Sequence, residues 1–439
     1  MSETEPPSEP AAAGTTHEGF LASAARRLRS KTISYWISAI VVLIVASAGS
    51  PYIYDYLGLK TARSAFFQEL LALGPRPTEP RQIKIVRIED DDYWEGILAG
   101  RQPIKRDYVA NLVRKLVSFN VHVIALDFDV RLPKPDSLSI QEEYQSETRL
   151  LTDAIKAAAR NGKKIVLATP VSFADESKKI YRRDSDIYQA SGLCLSQEKG
   201  PDGLFGPPDP IISNVTCGYI ALPYDPLRIP PPIPMVDGSE LDPFALVLAR
   251  ALNPELMSRL MLRKKELGYL NFITHDTFAQ MNTLFSARAV RLGTIDPGAL
   301  DSKAVIVGGD WSVYASGRGP TTDLHKSPVG DMVGVELHAN FAEAFLDSRV
   351  FGAVSPEVLD VSEIIFGIFA AIVLAVIPHI WGKVIGLFLL MAAMFGISAF
   401  ALAAFGVFFD AFVPLVGLGI HALYESYAGH SDTEQPGHA

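Results

Sequence analysis

Residues 83–130 read IKIVRIEDDDYWEGILAGRQPIKRDYVANLVRKLVSFNVHVIALDFDV, and their pattern of apolar positions decides the fold. IKIVRIED (residues 83–90) is a short apolar run rich in Ile and Val that ends in acids, the signature of a buried strand. DYVANLVRKLVSFN then places Val109, Leu112, Val113 and Leu116 on one face at helical spacing. VHVIALDF (residues 121–128) is a second buried strand. Downstream, SETRLLTDAIKAAARNG predicts a helix ending near Gly162, and KKIVLATP a third strand. Strand, helix, strand, helix, strand predicts an α/β domain with a mostly parallel sheet, flanking helices and right-handed crossovers.

Beyond this unit, residues 171–236 are rich in proline (FGPPDPI, RIPPPIP) and read as irregular. PFALVLARAL predicts a helix, GYLNFIT a strand, KAVIVGGD (residues 303–310) the last buried strand, and GVELHANFAEAFL the last helix of the domain. Ligands of open parallel sheets bind beyond the carboxyl ends of the strands. Those ends carry Asp90, Asp127 and Asp310, and Asp310 leads toward DLHKSPVGDMVGVELHAN, with Asp323, His325, Glu336, His338 and Asn340. These eight residues are the candidate ligand-binding set.

Acids at strand ends also cap turns and helices, so a structural turn leading into a helix is the plainer account of the same stretch. Glu336 and His338 stand two apart on a helix and point in different directions, which makes them poor partners for one ion. Asp323, His325 and His338 are the residues a metal would use, but the chain is not expected to hold one. H-E-x-x-H, C-x-x-C, P-loop and G-x-S-x-G motifs are all missing from the sequence, and no cofactor is expected.

The chain has 439 residues, 48% hydrophobic, with a formal charge of −9. Its apolar residues gather at the two ends. Residues 1–32 combine a Pro/Glu/Ser/Ala-rich leader, expected to be disordered, with the basic flank RRLRSK. Residues 33–52 are an apolar run about as long as a bilayer is thick. A cleaved signal peptide would use Ala46-Ser47-Ala48, whereas the long polar leader argues for an uncut anchor; either one exports the downstream residues. Three more apolar segments fill residues 358–378, 384–406 and 411–427, before a polar tail at 428–439. Four spans place residues 53–356 outside and both termini in the cytoplasm, given the basic N-terminal flank. The lipid bilayer is therefore an expected partner. Nucleic acid is not, since the charge is acidic and no basic patch lies in the soluble part.

Cys194 and Cys217 both fall in the exported part, where they form either a disulfide or two buried thiols; the Gly/Pro-rich loop between them favours the bridge. Asn214-Val215-Thr216 is a glycosylation sequon only in a eukaryotic secretory pathway. In the apolar segments, Gly367, Ala371 and Ala375, and likewise Ala392 and Gly396, make small-residue ladders suited to close helix packing. His421 and Glu425 share a helix face near the end of the last span.

The whole layout resembles a CHASE2 sensor protein: one N-terminal span, an extracytoplasmic CHASE2 domain and three C-terminal spans. IVRIEDDDYWEG with QPIKRDYVANLVRKLVSFNVHVIALDFDV looks like the opening of that domain, GYIALPYDPLRIPPPIP its middle, and KAVIVGGD with TTDLHKSPVGDMVGVELHANFAEAFL its C-terminal signature. The resemblance covers residues 52–427 and marks Asp90, Asp127, Gly308, Asp323, His325, Pro328, Gly330, Gly334, Glu336, His338 and Asn340 as recurrent positions. RQPIKR stands where the family carries a Trp-Pro-rich segment, and the chain ends without the kinase or cyclase that usually comes next. The resemblance implies a non-enzymatic sensor at the plasma membrane. It would detect a small molecule or ion outside the cytoplasm and relay this to a separate partner or through self-association. Two alternatives compete: a metal-dependent hydrolase built on Asp90, Asp127, Asp310, His325 and His338, and a membrane-anchored envelope scaffold.

Overall fold

The computed structural model describes residues 33–56, 65–70, 82–129, 138–184, 187–194, 213–222, 229–255, 267–314 save 271 and 302, 321–347, 350–353, 356–377 and 379–405, with a few scattered positions besides. Most of the expected fourth span at 411–427, with His421 and Glu425, lies outside the described residues. The chain divides into two compact units, residues 61–353 and the two ends together.

The first unit is a sheet covered by helices on both faces. Its strands are β1 (Ile83–Glu89), β2 (Val123–Asp127), β3 (Lys164–Thr169), β4 (Val215–Tyr219), β5 (Leu284–Ser286) and β6 (Ala304–Asp310), in the spatial order β5-β1-β6-β2-β3-β4. Every neighbouring pair runs parallel. The apolar runs read from the sequence at 83–90, 121–128, 164–169 and 304–310 are thus the four central strands, as strands buried on both faces must be.

Two strands of the sheet were not expected. β4 lies in the proline-rich middle, and β5 has only three residues; both are edge strands, too short or too interrupted to show a period. The middle also forms an antiparallel pair, Val171–Asp175 with Ile180–Arg183, so it is less irregular than its composition implies. The strand expected at GYLNFIT is shorter, Leu267–Leu270, and pairs antiparallel with Val350–Ala353 instead of joining the parallel sheet.

Alternation along the strands sorts their side chains into two cores. Val86, Ile88, Ile124, Leu126, Ile165 and Leu167 pack under α2 (Arg106–Ser118) and α3 (Leu138–Arg160). Ile83, Ile85, Val123, Ala125, Val166 and Ile306 pack under α4 (Phe244–Leu252) and α6 (Gly334–Leu346), while the short α5 (Ala287–Leu292) joins the first face. Burying one such side chain is worth about 1.5–3 kcal/mol, so register is strongly fixed on both faces. Gly162 comes just after α3 at φ +75°, the left-handed geometry that ends a helix at little cost. Glu343 of α6 is buried and its Oε1 accepts the backbone N–H of Gln82 and Ile83 at 2.9 and 2.8 Å, holding the start of β1. Cys194 and Cys217 form a disulfide that ties β4 to the short helical turn at Ile187–Ala190 and the residues after it.

The second unit contains α1 (Ile33–Tyr56), α7 (Pro356–Val376) and α8 (Ile380–Phe405). Among the described residues one segment, Ile380–Ala404, is long and apolar enough to cross a membrane, with mean hydropathy 2.4; Trp36–Val45 and Ile364–Val376 are shorter apolar stretches. The expected spans at 33–52 and 358–378 fall on α1 and α7, and the expected span at 384–406 falls on α8, which meets the full length requirement among the described residues. Leu43 of α1 sits on Gly367 of α7, where a Cβ would come within 2.3 Å of Leu43 Cδ1, so the Gly367–Ala371–Ala375 ladder is used inside the unit. At Gly396 a Cβ would meet nothing within 4 Å.

Candidate functional site

Two adjoining cavities open at the carboxyl ends of the central strands. One, about 750 Å³, is lined by Tyr93, Phe128, Trp311 and Asp323 among others; the second, about 300 Å³, is lined by Ile220, His325 and His338. Asp127, Ile220 and Asp323 belong to both, so the two form one cleft with Asp127 at the junction.

Two glycines build it. Gly308 of β6 pairs with Asp127 of β2, and a Cβ there would lie 2.7 Å from Val335, so only glycine lets the first turn of α6 press onto the sheet. That approach carries His338 toward Asp127, with Nε2 3.9 Å from Oδ1. The DLHKSPVGDMVG stretch is an antiparallel hairpin, β7 (Leu324–Ser327) with β8 (Gly330–Val333), rather than a simple turn. It ends at Gly334, the first residue of α6, whose N–H is donated to the Asp323 carbonyl at 2.9 Å. A Cβ at Gly334 would overlap the Asp323 carboxylate, which therefore lies against the positive end of α6. His325 Nε2 and Asp323 Oδ1 are 2.7 Å apart at the cleft rim.

The floor of the cleft is electrically unusual. The Asp127 side chain is 9% exposed, and its carboxyl makes no hydrogen bond among the described residues, His338 Nε2 at 3.9 Å being beyond reach. Burial, reinforced by the negative charge of Asp323, pushes its pKa up to about 8. His338 is 4% exposed, packed edge-on against Phe244, and its Nδ1 has no hydrogen-bond partner among the described residues. Burial lowers its pKa to about 4, against the opposing pull of Asp323. Near neutral pH this places a protonated carboxyl beside an uncharged imidazole, each with hydrogen-bonding capacity unspent.

The other wall is aromatic. Tyr93 stacks on Trp311 with centroids 4.2 Å apart and planes 8° from parallel, and Trp94 meets Tyr93 edge-on. Trp94 Nε1 donates to the Ser312 carbonyl at 2.9 Å, tying the turn after β1 to the loop after β6. The RQPIKR segment forms the next part of the rim. Arg101 grips Glu147 with two hydrogen bonds of 2.7 and 2.9 Å, Glu147 also accepts the Arg106 N–H, and both guanidiniums stack on Tyr144. This ion pair and its aromatic platform occupy the segment where the resemblance would lead one to expect tryptophan and proline.

The candidate residues divide into three groups. Asp127, Asp323, His325 and His338 meet at the cleft. Asp310 and Glu336 stand beside it in a second polar cluster: Arg87 reaches Asp310 at 2.8 Å, Glu89 at 2.8 Å and Glu336 at 3.7 Å, and His275 Nδ1 lies 2.9 Å from Glu336. Burial raises the pKa of Glu336 even so, and burial raises that of Glu89 likewise. Asp90 and Asn340 are occupied elsewhere. Asp90 accepts the backbone N–H and the hydroxyl of Ser312 at 2.7 and 2.8 Å. Asn340, fully buried, accepts the N–H of Ile273 at 2.7 Å and donates to its carbonyl at 2.9 Å, which makes it a clamp on the segment leading into the short helix His275–Gln280. Among the described residues no three His, Cys, Asp or Glu side chains stand where they could share one metal ion, so Asp323, His325 and His338 do not form a ligand set. Sequence reasoning missed Tyr93, Trp311 and the RQPIKR rim; the DDYWEG and GGDWS turns carry the aromatic signal, but nothing in them shows that the two rings meet.

The family model described as the CHASE2 domain matches residues 37–377. No match is found among curated proteins or solved structures.

Proposed function

The chain belongs to the CHASE2-domain family, a family of extracellular sensory domains, and from that premise we propose that it is a membrane-anchored sensor with its ligand site in the Asp127 cleft. A small molecule or ion occupies the cleft from outside the cytoplasm, and occupancy is relayed through the apolar helices to a separate partner or a second copy of the chain. One observation carries the assignment of the site: Asp127, at the junction of two open cavities, and His338, lining the smaller one, have side chains nine-tenths or more buried, stand 3.9 Å apart, beyond hydrogen-bond distance, and His338 Nδ1 is unpartnered among the described residues. Leaving a buried polar group unpaired costs about 1–3 kcal/mol, a cost that a bound ligand would relieve.

The test uses the full chain in lipid nanodiscs, screened by thermal shift against cationic, neutral and anionic small molecules and against divalent ions. Binding to the native state alone must raise Tm. At least one compound is expected to stabilise the wild type and to lose its effect in His338→Asn. If every stabilising compound acts equally on His338→Asn and Asp127→Asn, the ligand lies elsewhere. If nothing shifts Tm while crosslinking captures one stable envelope partner, the chain is a scaffold and the sensor assignment fails.

A further inference from the structure

Within that sensor reading, on which this step rests, we infer that the cleft is built for a small organic cation: a nitrogen bearing hydrogen-bond donors, carried on a flat or apolar body. Three features of the larger cavity converge. Its lining includes Asp127, Asp129 and Asp323, while no lysine or arginine lines it among the described residues. Its wall includes the part-exposed Trp311, backed by the fully buried Tyr93 stacked on it, and Phe128, and aromatic faces attract cations. Its floor holds the nine-tenths buried Asp127 carboxyl, which accepts no hydrogen bond among the described residues.

The cluster one strand away is the internal control. There the fold supplies a cation for its carboxylates: Arg87 reaches Glu89, Asp310 and Glu336, and His275 reaches Glu336. Around Asp127 the facing groups are His338 from α6, Asp323 and His325 from the hairpin side, Asp129 two residues along its own chain, and Gly308 from β6, which has no side chain. His325 is committed to Asp323, and His338 stays uncharged in its buried position. The counter-charge of Asp127 is left for a ligand to bring. An ammonium or amidinium group seated between Asp127 and Asp323 would donate to both, with its body against the rings of the aromatic wall.

Such a ligand must bind the ionised form of Asp127, which makes affinity depend on pH. The apparent affinity scales with the ionised fraction, so with a pKa of about 8 it should be about tenfold tighter at pH 9 than at pH 7. The experiment is calorimetric titration of the full chain in nanodiscs with phenethylamine and agmatine as probes, and with 2-phenylethanol, Mg²⁺ and Ca²⁺ as comparisons. The expected result is binding of at least one organic cation that tightens from pH 7 to pH 9, is weakened more than tenfold in Asp127→Asn, and is unchanged in Asp91→Asn, which lies outside the cleft. The wild-type pH profile stands by itself should Asp127→Asn fail to fold. Equal binding of 2-phenylethanol, or affinity that falls with rising pH, would mean that a protonated Asp127 donates to a neutral ligand; the cation inference would then fail and the sensor assignment survive. Binding of the divalent ions alone, or of neither organic cation, also overturns it.

Discussion

A side chain's partners, more than its identity, set what it does in this chain, and Asn340 is the clearest case. It clamps both backbone groups of Ile273, so Asn340→Ala leaves a buried N–H and a buried carbonyl unpaired. The expected cost is about 2–4 kcal/mol in equilibrium denaturation, with ligand affinity preserved in whatever fraction folds. Gly308 acts by what it lacks. In Gly308→Ala the new methyl would press on Val335 at 2.7 Å, and about 1–3 kcal/mol of stability should be lost as α6 is pushed outward. Because α6 carries His338, the same variant should weaken binding in the cleft, measurable by titration with any cleft ligand. Glycine at 308 and 334 could be read in the sequence as part of a recurrent signature, but the contacts that demand it could not.

At the scale of elements, β2, α6 and the β7–β8 hairpin together hold one proton in a way that stability should report. Asp127 has its folded pKa raised from 3.8 to about 8, so its contribution is complete below its unfolded value and lost as pH rises through about 8. His338 has its folded pKa lowered from 6.5 to about 4, so its contribution is present above 6.5 and lost as pH falls through about 4. Between about 4 and 6.5 the folded state carries the proton on Asp127 and the unfolded state on His338, and the two slopes cancel. Between about 6.5 and 8 only the Asp127 slope remains, so the domain should lose about 2 kcal/mol as pH rises across that window. Denaturation at a series of pH values checks this, and Asp127→Asn should flatten the upper slope. The disulfide gives a separate expectation: reduction frees a loop with a sequence separation of 23, at a cost of about 3 kcal/mol. The elements also differ in how legible they were. β1, β2, β3 and β6 are continuous apolar runs and could be read directly, whereas β4 and β5 are short edges with no period to read. Their order could not be read at all, because it is set by pairing between residues as distant as Ile83 and Ala304. Asp127, Asp323, His325 and His338, named for residue type and position, are brought together at the cleft. Asp90 and Asn340 are taken up by Ser312 and Ile273, because capping and ligand binding use the same atoms.

For the molecule as a whole, the expected topology makes a direct prediction. A cysteine introduced by Lys178→Cys, on an exposed turn of the domain, should react with a membrane-impermeant maleimide in intact cells or spheroplasts, whereas one introduced by Ser2→Cys should react only after lysis. Labelling of both positions in intact cells would overturn the multi-pass arrangement with a cytoplasmic N-terminus. The sheet order has a further consequence, for the timing of assembly. β6 lies between β1 and β2 yet is the last of the six strands to be made, so the chain must keep a gap open at the middle of its sheet while everything from β2 to β5 is synthesised. Both cores remain split along that gap, and contacts this distant in sequence form late. For the export proposed above this arrangement would be an advantage: the keystone arrives with the end of the domain, so chain order would hold back closure of the sheet until the domain is fully made. Truncation before residue 303 should accordingly leave no partly stable core but a protease-sensitive chain throughout.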